Sequence, residues 1–237
     1  VKNNDRSIWI LGASRGIGAA IARSLQGYRI AVSARSRAAL EDVASVAEGM
    51  NTVFVQPCDV ASVESTSKAY ESIVATLGPT NILVYCAGIG RFAPVDSLTT
   101  EDFDRHFAVN TRGYFDCIRH VLPWMKANET GQIIYINSIA VLESFTGCSV
   151  YGASKAAARA ISRSVRAEVR GNGIKVTDVF VGATDTDIWD SATRESRRAD
   201  MMTAEDVAMS VNSIISEHQN TRTHVEELVL RPQRGDL

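Results

Sequence analysis

The stretch S-I-W-I-L-G-A-S-R-G-I-G at residues 7–18 runs from a short apolar segment through three glycines into a helical pattern. Strand, glycine turn and helix in that order form the opening unit of a doubly wound α/β sheet. Gly12, Gly16 and Gly18 permit a tight turn and a close approach of backbone to a pyrophosphate. The helix beyond them offers free N–H groups and a positive dipole end. The spacing is G-x-x-x-G-x-G, and a glycine turn used only for packing is the alternative. Its place between the first strand and the first helix favours a phosphate site.

Outward from this unit the pattern repeats. Apolar runs at 7–12, 29–34, 52–57, 81–88, 131–138, 175–182 and 226–231 alternate with helical patterns at 16–26, 36–48, 62–77, 100–127, 150–171 and 203–217. Alternation of this kind predicts an α/β fold: a doubly wound (Rossmann) parallel seven-stranded sheet with helices on both faces. Right-handed crossovers then put the ligand at the C-terminal strand ends, just after strands one, four, five and six. Thr99 or Thr100 ahead of Glu101 and Asp102, and Thr203 ahead of Glu205 and Asp206, read as helix starts. No linker, repeat or low-complexity tract interrupts the series, so residues 1–237 are expected to form one domain.

Composition narrows the function. The 237 residues are 45% hydrophobic and 22% charged, with 25 Lys+Arg against 27 Asp+Glu. Near-neutral charge gives no field for nucleic acid or an anionic membrane. No apolar run approaches the roughly 20 residues that span a bilayer. Cys58, Cys86, Cys117 and Cys148 lie about thirty residues apart with no C-x-x-C pair. Neither a metal site nor a disulfide framework is suggested, and reduced thiols fit a cytoplasmic protein.

Three further groups carry chemistry. The second strand ends A-R-S-R, and Arg35, beside Ser36 and Arg37, stands where an acid would bind the ribose 2′-OH of NAD. An arginine there, with Arg15 in the glycine turn, can receive the 2′-phosphate of NADP, although a single surface arginine is commonly just solvated. Asp59 after the third strand can accept from an adenine amino group or cap the next helix. Ala87 and Gly88 after the fourth strand let the chain pass close to a flat adenosine surface.

In Y-G-A-S-K at 151–155, Tyr151 and Lys155 are i and i+4 on one helix face. A neighbouring ammonium favours phenolate, so Lys155 is expected to lower the tyrosine pKa from about 10 toward a usable acid/base. Ser138 ends the fifth strand, where its hydroxyl can hold a carbonyl oxygen or simply make a turn. Asn110 is a poor choice for a helix interior and can hold water or backbone near Lys155, or merely bend the helix.

Taken in order, the glycine turn, C-D-V at 58–60, A-G at 87–88, Asn110, Ser138, Tyr151 with Lys155, and V-G-A-T-D-T-D at 181–187 resemble the short-chain dehydrogenase/reductase family. The match is to its shorter single-domain subgroup and runs from Ser7 to Pro232. The resemblance implies an NADP(H)-dependent oxidoreductase interconverting a carbonyl and a secondary alcohol, with a catalytic tetrad of Asn110, Ser138, Tyr151 and Lys155. It implies cofactor contacts from Gly12, Ser14, Arg15, Gly16, Ile17, Gly18, Arg35, Ser36, Asp59, Val60, Ala87, Gly88, Asn110, Tyr151, Lys155, Gly182 and Thr186. It also implies a homodimer or homotetramer built on helices 100–127 and 150–171 and the last strand. A non-catalytic NADP-binding regulator with the same fold is the rival. A sugar-nucleotide epimerase fits less well, because that branch resembles G-x-x-G-x-x-G and adds a substrate domain.

The chain departs from the family at Leu11 (usually Thr), at Tyr85-Cys86 (usually Asn-Asn) and at Val181 (usually Pro). Loss of asparagine at 86 removes hydrogen bonds that commonly brace the sheet, and Val181 is expected to loosen a turn. On the substrate side, Phe92, Ile139, Leu142, Phe145, Ile188 and Trp189 are the apolar candidates, and Glu143 can meet an amine or hydroxyl. Arg194, Arg197 and Arg198 form a basic cluster, more commonly a solvated helix face than a site for an acidic substrate.

Overall fold

Strands β1 (Ser7–Leu11), β2 (Arg29–Ser33), β4 (Ile82–Tyr85), β5 (Gly131–Ser138) and β6 (Ile174–Val181) are apolar on alternate residues of both faces, the pattern of strands covered from two sides. The computed structural model describes residues 6–235. With β3 (Thr52–Val55) and β7 (Glu227–Leu230), they form one parallel sheet in the order β3-β2-β1-β4-β5-β6-β7. After β3 the chain returns to the sheet centre to lay β4 beside β1. This reversal is the switch point at which doubly wound sheets open a crevice.

Even-numbered side chains of β1, Ile8 and Ile10, pack with helices α1 (Gly16–Ser24), α2 (Arg37–Ala47) and α8 (Ala204–Ser216). Odd-numbered Trp9 and Leu11 pack against α3 (Val63–Leu77), α5 (Gly113–Ala127) and α6 (Ser149–Val169) on the other face. Each large side chain fully buried in these layers contributes about 1.5–3 kcal/mol. Trp9 also donates its indole N–H to Ser33 Oγ at 3.0 Å, so its polar atom is not left unpaired.

Two departures from the sequence expectation matter for the site. The helix expected over 100–127 is α4 (Thr100–His106), a π-helical turn Phe107–Arg112, and α5. Periodicity misses one widened turn inside an otherwise helical run. The segment after β6, expected only to cover the substrate space, contains a short helix α7 (Ser191–Arg197) capped by Asp190. Thr99 and Thr203 each form a capping box, with Asp102 and Asp206 respectively. No helix among the described residues is long and apolar enough to cross a membrane.

Candidate active site

A cavity of about 1160 Å³ opens along the C-terminal strand ends. Its floor at one end is the glycine turn. Gly12 has φ +75°, and a Cβ there would sit 2.6 Å from the Ala87 backbone nitrogen. This glycine is therefore required by the packing of two loops, whatever is bound. Gly12→Ala is expected to cost about 2 kcal/mol or more through backbone strain and this collision, read as a lowered calorimetric midpoint.

A stronger indication of an anionic ligand is the start of α1. Its N-cap, Arg15, makes no side-chain cap bond, and its first turn contains no acid. Ser14, Gly16 and Ile17 bring this uncapped positive end to the cavity wall. Beyond it the wall continues with Arg35, Ser36, Asp59, Val60, Ala87 and Gly88, then Gly182 and Thr186. The uncapped helix start and the donors along this wall fit a dinucleotide. Arg15 is turned onto Asp187 at 3.2 Å, tying the glycine turn to the segment ahead of α7. Asp59 does not cap α3: Ser62 does, while Asp59 Oδ1 accepts from Ala61 N–H at 3.0 Å.

At the other end stand the side chains expected to react. Ser138 terminates β5, and Tyr151 and Lys155 project from α6 across from it, all three buried in the cavity wall. Ser138 and Tyr151 share this wall closely enough for the Ser138 side chain to pull the Tyr151 pKa down. Ser138 Oγ also accepts from Ala140 N–H at 3.1 Å, which fixes the hydroxyl. Lys155 Nζ donates to Ile136 O at 2.8 Å. Asn110 lies behind the wall rather than in it, fully buried, exchanging bonds with the Ile89 backbone at 2.9 Å each way and donating to Ser154 Oγ at 3.0 Å.

The electrostatics correct one expectation. Burial pushes the Tyr151 phenol up to about 12, with only the Ser138 side chain pulling it down. Lys155 is not among the groups that shift it; in this structure its ammonium is turned to Ile136 O instead. Burial pushes Lys155 itself down to about 8, against the opposing pull of Cys86 and Asp178. At neutral pH the tyrosine is thus a protonated donor beside a lysine that gives up its own proton readily.

The substrate end is aromatic. Phe92 stacks on Trp189 with centroids 5.4 Å apart and meets Tyr151 edge-on at 5.3 Å. Ile139, Phe145 and Ile188 complete this wall. Leu142 and Glu143 do not line it: Glu143 is paired with Arg231 outside, so its carboxylate is committed. The basic cluster is likewise neutralised, Arg194 by Asp185 and Asp187, Arg198 by Asp185 at 3.1 Å, and Arg197 by Asp200 at 3.4 Å. Among the described residues no group of three or more His, Cys, Asp or Glu is placed to hold a metal.

The departures at 85 and 181 prove to be built in. Tyr85 donates to Val109 O at 2.6 Å, stacks with Tyr135 and meets Tyr114 at a tilt, so an aromatic brace stands beside the missing asparagines. The turn after Val181 is fixed by Gly182 N–H to Leu230 O at 2.8 Å. Tyr135, Asn137 and Asp178 lie close around the candidate residues, yet no local motif marks them; only strand register brings them there.

This fold and this constellation define a short-chain dehydrogenase. The family model for short chain dehydrogenases matches residues 6–197, and the chain belongs to that family as an oxidoreductase. Among individual relatives, it is 33% identical over 239 residues to sepiapterin reductase of Chlorobaculum tepidum, covering 96% of each chain. An alcohol dehydrogenase from the archaeon Thermococcus sibiricus, complexed with 5-hydroxy-NADP, superposes with TM-score 0.86 at 27% identity over 96% of this chain and 97% of that one. The closed form of a serine dehydrogenase complexed with NADP+ gives TM-score 0.89 at 25% identity, covering 98% and 96%.

Proposed function

We propose that this chain is an NADP(H)-dependent oxidoreductase interconverting a carbonyl and a secondary alcohol, acting as one domain in the cytoplasm. The observation that carries this reading is the pair of hydroxyls, Ser138 and Tyr151, brought together in one cavity wall with Lys155 beside them and an uncapped helix start at the far end. The nicotinamide, when bound, supplies or takes the hydride. Ser138 orients the carbonyl oxygen, and Tyr151 holds the proton delivered to it. Lys155 and Asn110 hold the route by which that proton is replaced.

The glycine turn and the α1 N-terminus would hold the pyrophosphate, Arg15 and Arg35 the 2′-phosphate, Asp59 and Val60 the adenine, and Gly182 and Thr186 the nicotinamide end. The two NADP-bound relatives support the choice of NADP. An apolar groove beside α4, α5 and α6, with Phe107, Phe115 and Ile161 along it, supports a homodimer or homotetramer.

The test is NADPH or NADH oxidation followed spectrophotometrically across ketones, aldehydes and sepiapterin, with alcohols in reverse. Arg35→Asp is expected to reduce the preference for NADPH over NADH about tenfold or more by removing a phosphate partner and adding a repelling charge. A clear NADH preference in the unaltered protein overturns the roles of Arg15 and Arg35. Tight NADPH binding with no turnover on any compound would instead favour a non-catalytic NADP-binding regulator.

A further inference from the structure

Two residues of the proposed machinery, Asn110 and Lys155, reach the site from different elements, and one side chain touches both. Tyr135, on the central strand β5, is fully buried and donates its hydroxyl to Asn110 O at 2.7 Å. The ammonium of Lys155 lies 4.7 Å from the centroid of the same ring. Asn110 sits in the π-helical turn Phe107–Arg112, where Gly113 N–H bonds back to Ala108 O. Such a turn carries one extra residue, so its junction with an α-helix leaves carbonyl acceptors without the usual N–H spacing.

Two tyrosine hydroxyls supply donors there. Tyr85 bonds the carbonyl of residue 109 and Tyr135 that of residue 110. The strand register sets Tyr85 directly beside Tyr135, and their rings stack at 5.7 Å. The turn is shaped around this pair. A Cβ on Gly113 would come within 2.6 Å of the Tyr85 hydroxyl, so the residue that ends the π turn must be glycine for that hydroxyl to enter.

We propose that Tyr135 is the positioning residue of this site, its hydroxyl setting the backbone of Asn110 and its ring face seating the Lys155 ammonium, with Tyr85 holding the preceding carbonyl. The role rests on the reading of Asn110 and Lys155 under Proposed function. Its physical basis does not: a ring face stabilises a desolvated cation, and a phenol O–H satisfies a buried carbonyl. The other groups acting on Lys155 are the Ile136 carbonyl, Cys86 and Asp178.

The test uses the full chain and needs no substrate. With carbon-13 in lysine, only five lysine signals arise, and Lys155 is identified by its loss in Lys155→Arg. Its ε-protons are expected upfield of the other four, shielded by the Tyr135 ring, and are expected to stay there in Tyr135→Phe, which keeps the ring. With carbon-13 in the asparagine carbonyls, the Asn110 signal is expected to move upfield in Tyr135→Phe as the hydroxyl bond is lost. Tyr85→Phe is expected to leave the Lys155 ε-protons in place. Unshielded ε-protons in the unaltered protein, or an Asn110 carbonyl unmoved in Tyr135→Phe, overturn the proposal. On any carbonyl compound reduced with NADPH, Tyr135→Phe is expected to lower kcat about tenfold with KM little changed, the size of one lost hydrogen bond. An equal fall in binding and turnover would mark a merely structural role and also overturn it. If no compound is reduced, the carbonyl reading fails while the two spectroscopic results still decide this one.

Discussion

Tyr151→Phe is expected to leave the fold and NADPH binding intact and to lower turnover by about 10²–10⁴-fold, the range general acid–base groups contribute. The substitution removes one oxygen and keeps the ring that meets Phe92 edge-on, so the aromatic wall of the substrate end is retained. What is lost is the proton held opposite Ser138. That proton is firmly held, since burial keeps the phenol neutral up to about 12. Thermal unfolding and quenching of NADPH fluorescence report fold and binding, and NADPH oxidation reports turnover. Activity within a few-fold of the unaltered protein would remove Tyr151 from the mechanism. Ser138→Ala offers no substitute for this test, because Ser138 also organises the end of β5.

The second large effect is expected on stability, from Arg166→Met. Arg166 crosses from α6 over the edge of the sheet, donating to Val176 O at 2.7 Å and Glu226 O at 2.8 Å, and pairing with Asp178 at 3.2 Å. Asp178 is fully buried and accepts from Asn137 at 3.2 Å, and Asn137 in turn accepts from the Ser138 backbone N–H at 2.8 Å. Removing one partner of a buried pair leaves the other charge uncompensated, at a cost of about 3–5 kcal/mol. For a chain of this size that lowers the melting midpoint by roughly 10 °C.

The sign of its pH dependence follows from Asp178. Burial raises this carboxyl to about 6, with Asn137 and Arg166 pulling it back. An unfolded aspartate titrates near ~3.9, so the stability linked to Asp178 is complete below about 4 and lost as pH rises through about 6. Without Arg166 the folded value climbs further. The deficit of Arg166→Met is therefore expected to be small at pH 4 and full above pH 6, as measured by denaturant unfolding at the two values. A pH-independent deficit would assign the cost to lost packing alone. Replacing both partners, Arg166→Met with Asp178→Leu, is expected to recover much of the loss.

Much of this was legible in the chain. The order of strands and helices, the glycine turn, and the spacing of Ser138, Tyr151 and Lys155 are short-range patterns, and the structure places them together at the strand ends as alternation predicts. The expectations that shifted depend on longer reach. Leu142 and Glu143 face away from the cavity, since Glu143 is held by Arg231, 88 positions further on. Lys155 shares a helix face with Tyr151, yet its ammonium turns to the sheet, where β5 offers the Ile136 carbonyl and the Tyr135 ring face while the phenol stays neutral.

The doubly wound fold and the family were readable from the chain, as were the residues proposed to react, because each is encoded within one strand-turn-helix unit or one helical turn. The long-range pairings around the site came only from the fold: Tyr85 beside Tyr135, Arg166 on Asp178, Arg15 on Asp187. Those pairings are fixed by strand register and helix packing across 12 to 172 positions, and no local pattern of residues records a distance of that kind.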